Sequence, residues 1–94
     1  MLTASALVVR HLGQEFSFED AQAIARRLEA QDPADVVLDL SASGRTCTAA
    51  LARLVCLRRV LLKHGGDLYL AGLHGQALAL HRLHRLQYVL PVVG

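Results

Sequence analysis

Aromatic residues are scarce in this sequence: two tyrosines, two phenylalanines and no tryptophan make up 4% of its 94 residues. Because 53% of the residues are nevertheless hydrophobic, leucine, valine and alanine must build the core, and such side chains suit helices packed on a sheet. The chain also lacks an aromatic platform for stacking bases and any known nucleic-acid-binding motif. We therefore expect no nucleic-acid partner.

Long hydrophobic runs are missing as well. None approaches the roughly 20 apolar residues of a membrane-spanning helix, and the N-terminus has no basic region ahead of an apolar segment. We therefore expect a cytoplasmic protein with no direct membrane insertion. The length of 94 residues, without repeats or linkers, favours a single domain over residues 1–94.

Cysteine is limited to Cys47 and Cys56. The sequence places both on one predicted helix, about 13 Å apart along its axis, which is too far for a disulfide while that helix stands. Three histidines, His74, His81 and His84, have no cysteine or acid close in sequence to complete a zinc site. We therefore predict no metal site and no other cofactor.

The net charge of +2 conceals a division between the two halves of the chain. Residues 1–40 hold seven acids against three arginines, a net charge of −4, whereas residues 41–94 hold six arginines and Lys63 against Asp67, a net charge of +6. A basic half favours an acidic partner.

Hydrophobic periodicity predicts alternating strands and helices. The predicted strands cover residues 6–12, 36–40, 67–71 and 88–93. The first helix begins at a capping box over residues 17–20 and ends before Asp32-Pro33, the second runs from Cys47 to the Gly65-Gly66 stop, and the third covers residues 76–86. This order predicts an α/β domain whose mostly parallel or mixed four-stranded sheet packs with about three helices, which cover one face of it.

The start of the second helix is the main candidate site. It reads Thr46-Cys47-Thr48-Ala49-Ala50, and the free N–H groups of a first helical turn attract anions. Thr46 is the expected N-cap. Upstream, Asp39 lies inside the apolar strand predicted over residues 36–40, and we expect its carboxylate to accept hydrogen bonds from backbone N–H groups of the following turn.

Three segments carry a family resemblance: Val36-Val37-Leu38-Asp39-Leu40-Ser41, the helix that starts at Cys47, and Gly65-Gly66-Asp67-Leu68-Tyr69-Leu70. Over about residues 7–93 the chain resembles the STAS domain, a family that includes bacterial anti-sigma-factor antagonists and the cytoplasmic tails of sulphate transporters. The resemblance implies a small STAS-like α/β fold and a non-catalytic signalling role exercised by binding another protein.

Antagonists of this family carry Asp-Ser-Ser-Gly at the start of the helix after the central strand, where a partner serine kinase, the anti-sigma factor, phosphorylates a serine. Aligned on Asp39-Leu40-Ser41, that motif falls on Cys47-Thr48-Ala49-Ala50, so Thr48 becomes the candidate acceptor while Cys47 replaces the aspartate and Ala50 the glycine. A phosphate on Thr48 would meet the helix N-terminus and nearby Arg45.

A second branch of the family is the small STAS subunit of the ABC transporter that maintains outer-membrane lipid asymmetry. It typically reads Asp-Thr-Ala-Gly-Leu-Ala at this position, where the present sequence reads Cys47-Thr48-Ala49-Ala50-Leu51-Ala52. This branch implies a non-enzymatic accessory subunit that binds an ABC ATPase.

Helical spacing defines a candidate docking face on the second helix. Three- and four-residue steps place Ala49, Arg53, Cys56, Val60 and Lys63 on one side. Its basic residues would complement an acidic kinase or ATPase and speed association. The predicted partner-binding residues are Arg45, Thr46, Cys47, Thr48, Ala49, Arg53, Cys56 and Val60.

Two alternatives belong to other classes. The spacing Cys47 to Arg53 matches that of cysteine phosphatases, although those enzymes wrap a phosphate in a glycine-containing loop, and residues 48–52 are strong helix formers without glycine. Exposed sheet edges also leave open a structural homo-oligomer. We favour the protein-binding regulatory domain, with no catalytic activity.

Overall fold

Strands and helices alternate along the chain from Leu7 to Val93. The computed structural model describes residues 6–32 and 34–93. Within them the elements are β1 (Leu7–Arg10), β2 (Glu15–Phe16), α1 (Phe18–Glu29), β3 (Asp35–Asp39), β4 (Arg45–Thr46), α2 (Thr48–Lys63), β5 (Asp67–Ala71), α3 (Gly75–Leu83), a 3-10 turn (Leu86–Tyr88) and β6 (Val92–Val93).

The main sheet has four parallel strands in the order β1-β3-β5-β6. Each crossover through α1, α2 and α3 therefore advances to the next strand in the same direction. Because strand-helix-strand crossovers are right-handed, all three helices lie on the same face of the sheet. This architecture confirms the predicted α/β fold class.

The core lies between that face and the helices. Alternate residues of β3 and β5, such as Leu38 and Leu70, are fully buried there. From the helices, Ala21, Ala25, Leu28, Ala50, Leu51, Leu54, Leu57 and Leu61 complete the same cluster. The opposite face carries the aligned residues Val8, Val37 and Tyr69, and Val8 is 60% exposed.

The predicted capping box of α1 is confirmed. The Ser17 hydroxyl accepts a hydrogen bond from the Asp20 N–H at 3.1 Å, and the Asp20 carboxylate accepts one from the Ser17 N–H at 2.9 Å. That backbone bond holds the pKa of Asp20 below its ordinary value. Helix α1 ends at Glu29, ahead of the predicted stop at Asp32-Pro33, and Pro33 lies outside the described residues.

The carboxylate of Asp39 is held as predicted. It accepts a hydrogen bond from the Ser41 N–H at 2.9 Å, and its second oxygen accepts one from the Arg10 guanidinium at 3.1 Å. The Ser41 N–H, followed by the Arg10 side chain, lowers the pKa of Asp39. Asp39 therefore stabilises the turn that follows β3 and links the end of β3 to β1.

Three predictions about local structure were wrong. Cys47 is the N-cap of α2, because Thr46 belongs to β4, which pairs in parallel with β2. Helix α3 ends at Leu83 rather than residue 86, since Arg85 adopts a left-handed φ of 52° that stops the helix. Residues 88–93 are extended only at Val92–Val93, because the 3-10 turn begins the segment.

Candidate partner-binding surface

The first turn of α2 presents its backbone without a side-chain cap. Cys47 has extended backbone angles and makes no capping hydrogen bond, and the turn contains no acidic residue. The N–H groups of Thr48, Ala49 and Ala50 have no acceptor within the helix, because they belong to its first turn. The positive end of the helix dipole thus lies beside exposed Cys47 and Thr48.

Thr46 is tied into the scaffold beneath this turn. Its hydroxyl donates to the Phe16 carbonyl at 2.7 Å, and its N–H donates to the Gln76 side-chain oxygen at 2.9 Å. Arg45 and Cys47 border a cavity of about 260 Å³ at the same corner. Thr46 therefore positions the corner, whereas Arg45 and Cys47 are exposed on it.

Thr48 points to a neighbour that the sequence did not indicate. Its hydroxyl oxygen lies 3.2 Å from Nε2 of His84, 36 residues further along the chain. Both side chains are exposed. The turn that follows α3 creates this contact, and no local pattern in the sequence reports it.

The predicted docking stripe on α2 divides into two parts. Ala49 and Cys56 are exposed, as is Lys63. The Arg53 guanidinium instead donates to the carboxylate of Glu29 at 2.9 and 3.2 Å and to the side chain of Gln22, both on α1. Val60 is half-buried and borders the end of α1. Arg53 and Val60 thus serve the α1–α2 junction, while Ala49 and Cys56 face outward.

On the other flank of α2 lies an apolar depression of about 510 Å³, here named the lateral groove. Its lining residues are Thr48, Leu51, Ala52, Val55, Cys56, Arg59, His84, Leu86 and Val89. Sequence reasoning identified Thr48 and Cys56 but missed the others. Exposed Ala52 beside half-buried Val55 was the available signal.

The spacing of Cys47 and Arg53 does not produce a phosphate-binding loop. Residues 48–63 are continuous helix, whereas such a loop needs backbone N–H groups that converge on the thiolate. The Arg53 guanidinium is also engaged by Glu29 and Gln22. The geometry thus offers nothing that favours the phosphatase alternative.

The three histidines for which we predicted no metal site, His74, His81 and His84, contact different parts of the protein. Nε2 of His81, which is buried, lies 2.8 Å from the Leu90 carbonyl, and Nε2 of His74 lies 2.9 Å from the Ser41 carbonyl. Over residues 6–32 and 34–93, no three potential metal ligands form a group. None of the helices in that part of the chain combines the length and hydrophobicity that a membrane crossing requires.

Comparison with known proteins finds a structural relative. Neither a protein-family model nor a curated protein matches this sequence. The crystal structure of a sulfate transporter family protein from Wolinella succinogenes is similar, with a TM-score of 0.74 and 16% sequence identity over 95% of this chain and 75% of that one. At this identity the likeness shows a shared fold, which supports the STAS-like fold predicted from the sequence.

Proposed function

We propose that this chain is a non-catalytic, STAS-like regulatory domain of the anti-sigma-factor-antagonist type. It binds a partner kinase or ATPase in the cytoplasm through the first turn and exposed face of α2. The observation that carries the proposal is the uncapped, acid-free start of α2, where Thr48 is exposed on a well-anchored scaffold. An exposed surface held in place by a hydrogen-bonded scaffold suits recognition by another protein.

The same arrangement makes Thr48 a suitable phosphate acceptor. A phosphate at this position carries nearly two negative charges at neutral pH and is stabilised by the N-terminus of α2. His84, 3.2 Å from the hydroxyl, is available as a second hydrogen-bond partner. Modification of Thr48 by the partner kinase would therefore change the charge of the docking surface without unfolding it.

The second candidate is an accessory domain of a transporter ATPase. The resemblance of Cys47-Thr48-Ala49-Ala50-Leu51-Ala52 to the corresponding segment of the small STAS subunit of an ABC transporter favours it. Both candidates place the partner on α2 and differ in the partner's identity, so one experiment separates them.

That experiment is a pull-down from the native cytoplasm with the purified domain as bait and identification of bound proteins by mass spectrometry. The test variant is Ala49→Glu, because a glutamate in the first turn of a helix preserves stability while opposing an acidic partner. Ala23→Glu, which makes the same substitution at an exposed position on α1, is the matched control.

We expect the wild type and Ala23→Glu to recover a kinase or an ABC ATPase, and Ala49→Glu to lose it. A kinase supports the antagonist function, and an ABC ATPase supports the transporter function. Equal recovery by all three baits would contradict docking at the start of α2.

A further inference from the structure

The lateral groove exists because α2 is covered by a helix on one flank and not on the other. Helix α1 packs closely along α2, whereas α3 packs against β4 and the 3-10 turn. Helix α3 also has 9 residues against 16 in α2. The side of α2 that faces away from α1 therefore keeps apolar surface that no helix of the described chain covers.

The floor and walls of the groove are apolar. Leu51, only 1% exposed, forms part of the floor. Half-buried Val55 and Leu86 flank it, and Val89 is 38% exposed. Burying these side chains against an apolar partner would remove their surface from water, which is the main favourable contribution to association.

The structure fixes one wall of the groove in place. Arg58 donates a hydrogen bond to the Asp67 carboxylate at 2.8 Å and lies 3.4 Å from the carbonyl oxygens of Tyr88 and Val89. Burial alone would raise the pKa of Asp67, but Arg58 and the Leu68 N–H lower it. The ion pair thus holds the Arg58 side chain against β5, and its two carbonyl contacts link the segment after α3 to α2, so the groove is preformed.

The rim of the groove is basic. Arg59 lines it beside His84, and two further arginines are exposed close to His84 in the chain, Arg82 in the last turn of α3 and Arg85 just after that helix. None of its described lining residues is acidic, and Asp67, the single acid of residues 41–94, is occupied by Arg58. An occupant must therefore combine apolar side chains with negative charge.

We propose that the lateral groove binds an acidic amphipathic helix of the partner protein. The lining residues of α2 run from Thr48 to Arg59, a length of about 17 Å at 1.5 Å per residue, which matches three turns of a docked helix. Apolar residues at positions i, i+4 and i+7 of that helix enter the groove, and its acids meet Arg59 and His84. This inference rests on the proposed function and specifies its partner segment.

The position of Thr48 couples the groove to modification. Thr48 lies at the N-terminal end of the groove, so a phosphate there would place negative charge next to the acidic helix. Like charges at such a contact oppose binding. A negative charge at position 48, as in Thr48→Glu, is therefore expected to weaken binding of the helix.

Selection from a displayed library of helical peptides on the purified domain tests the proposal. We expect the enriched peptides to carry aspartate or glutamate around an apolar stripe. Their affinity, measured by fluorescence polarisation, should fall at least tenfold in Val55→Asp, Arg59→Glu and Thr48→Glu. Arg26→Glu, an exposed charge reversal on α1 outside the groove, should bind as the wild type does.

Cys56 provides an independent reporter, because it lines the groove and is exposed. In a Cys47→Ser background, bound peptide should slow alkylation of Cys56 by a maleimide.

Arg59 is also exposed, so Arg59→Glu keeps the test valid if Val55→Asp fails to fold.

Selected peptides without an acidic bias, or affinities unchanged in Arg59→Glu, would overturn the proposal. So would a self-associated wild type that Val55→Asp dissociates in sedimentation, since a second copy would then fill the groove. If the pull-down recovered a kinase or ATPase with both wild type and Val55→Asp, the groove proposal would be overturned while the proposed function stayed intact. Groove-dependent peptide binding with no such protein recovered would support the groove and contradict the proposed function.

Discussion

At the scale of single residues, two threonines two positions apart have different roles. The Thr46 hydroxyl and N–H both bond to other elements, to Phe16 and Gln76 respectively. Thr48 meets only the exposed side chain of His84 among its described side-chain hydrogen bonds. Thr46 therefore stabilises the fold at this corner, whereas Thr48 is the residue to which the proposed function assigns recognition.

This difference predicts unequal effects on stability. Thr46→Val removes a hydroxyl bond between elements and leaves the Phe16 carbonyl without that donor, so we expect a loss of about 1 kcal/mol. Thr48→Ala should change the free energy of unfolding by less than about 0.5 kcal/mol. Urea denaturation of both variants measures the two values, and a larger loss for Thr48→Ala would contradict the assignment.

Asp39 predicts a pH dependence of stability. Because the Ser41 N–H and Arg10 lower its pKa in the folded state, its contribution is complete above the unfolded pKa of about 3.9 and is lost as the pH falls through the folded value. Asp39→Asn should therefore reduce the fall in unfolding free energy below about pH 4. Urea denaturation across this range provides the measurement, and identical acid slopes in both proteins would refute the prediction.

At the scale of elements, the junction of α1 and α2 joins the acidic and basic halves of the chain. Arg53 of the basic half binds Glu29 of the acidic half at 2.9 Å. The pair lies between helices whose small side chains, Ala21, Ala25 and Ala50, are fully buried. Small residues allow the two helices to approach closely, whereas on the opposite flank of α2 the shorter α3 packs against β4 and the 3-10 turn instead.

The capping box gives the clearest prediction for an element. Ser17→Ala removes the acceptor of the Asp20 N–H bond, so the free energy of unfolding should fall by about 1 kcal/mol. Ser17→Asp, which restores an acceptor at the N-cap, should recover most of the loss. Thermal unfolding of the wild type and the two variants measures these differences. A Ser17→Ala variant as stable as the wild type would show that the cap contributes little.

The sequence predicted elements with strong local signals and missed those that depend on distant partners. The capping box of α1 and the apolar periodicity of α2 depend only on residues that are close together in the sequence. The two-residue strands β2 and β4 are too short to show a period, and each exists because it pairs with the other. The Thr48–His84 contact and the lateral groove likewise arise from the turn at Arg85, which sequence periodicity does not encode.

At the scale of the whole molecule, the division of charge along the sequence places acidic and basic residues in different parts of the structure. Seven of the eight acids precede α2, three of them on α1, whereas five of the nine arginines lie on α2, α3 and the turn beyond. Because every crossover advances in one direction across the sheet, α1 and α3 occupy opposite sides of the helical layer, with α2 between them. The basic side also contains the first turn of α2 and the lateral groove.

This asymmetry predicts salt-sensitive association. The association rate with an acidic partner should fall several-fold between 50 and 500 mM salt, while the dissociation rate changes less, because screening reduces long-range attraction. Stopped-flow measurements on the partner recovered by pull-down provide the test. An association rate independent of salt would argue against electrostatic recognition.

The most direct measurement of docking on α2 is hydrogen exchange of the domain, free and bound to the recovered kinase or ATPase. We predict slower exchange in the first turns of α2 and in residues 84–89, with little change on the sheet face opposite the helices, around Val8 and Tyr69. Slower exchange confined to that face, with α2 unchanged, would contradict docking on α2.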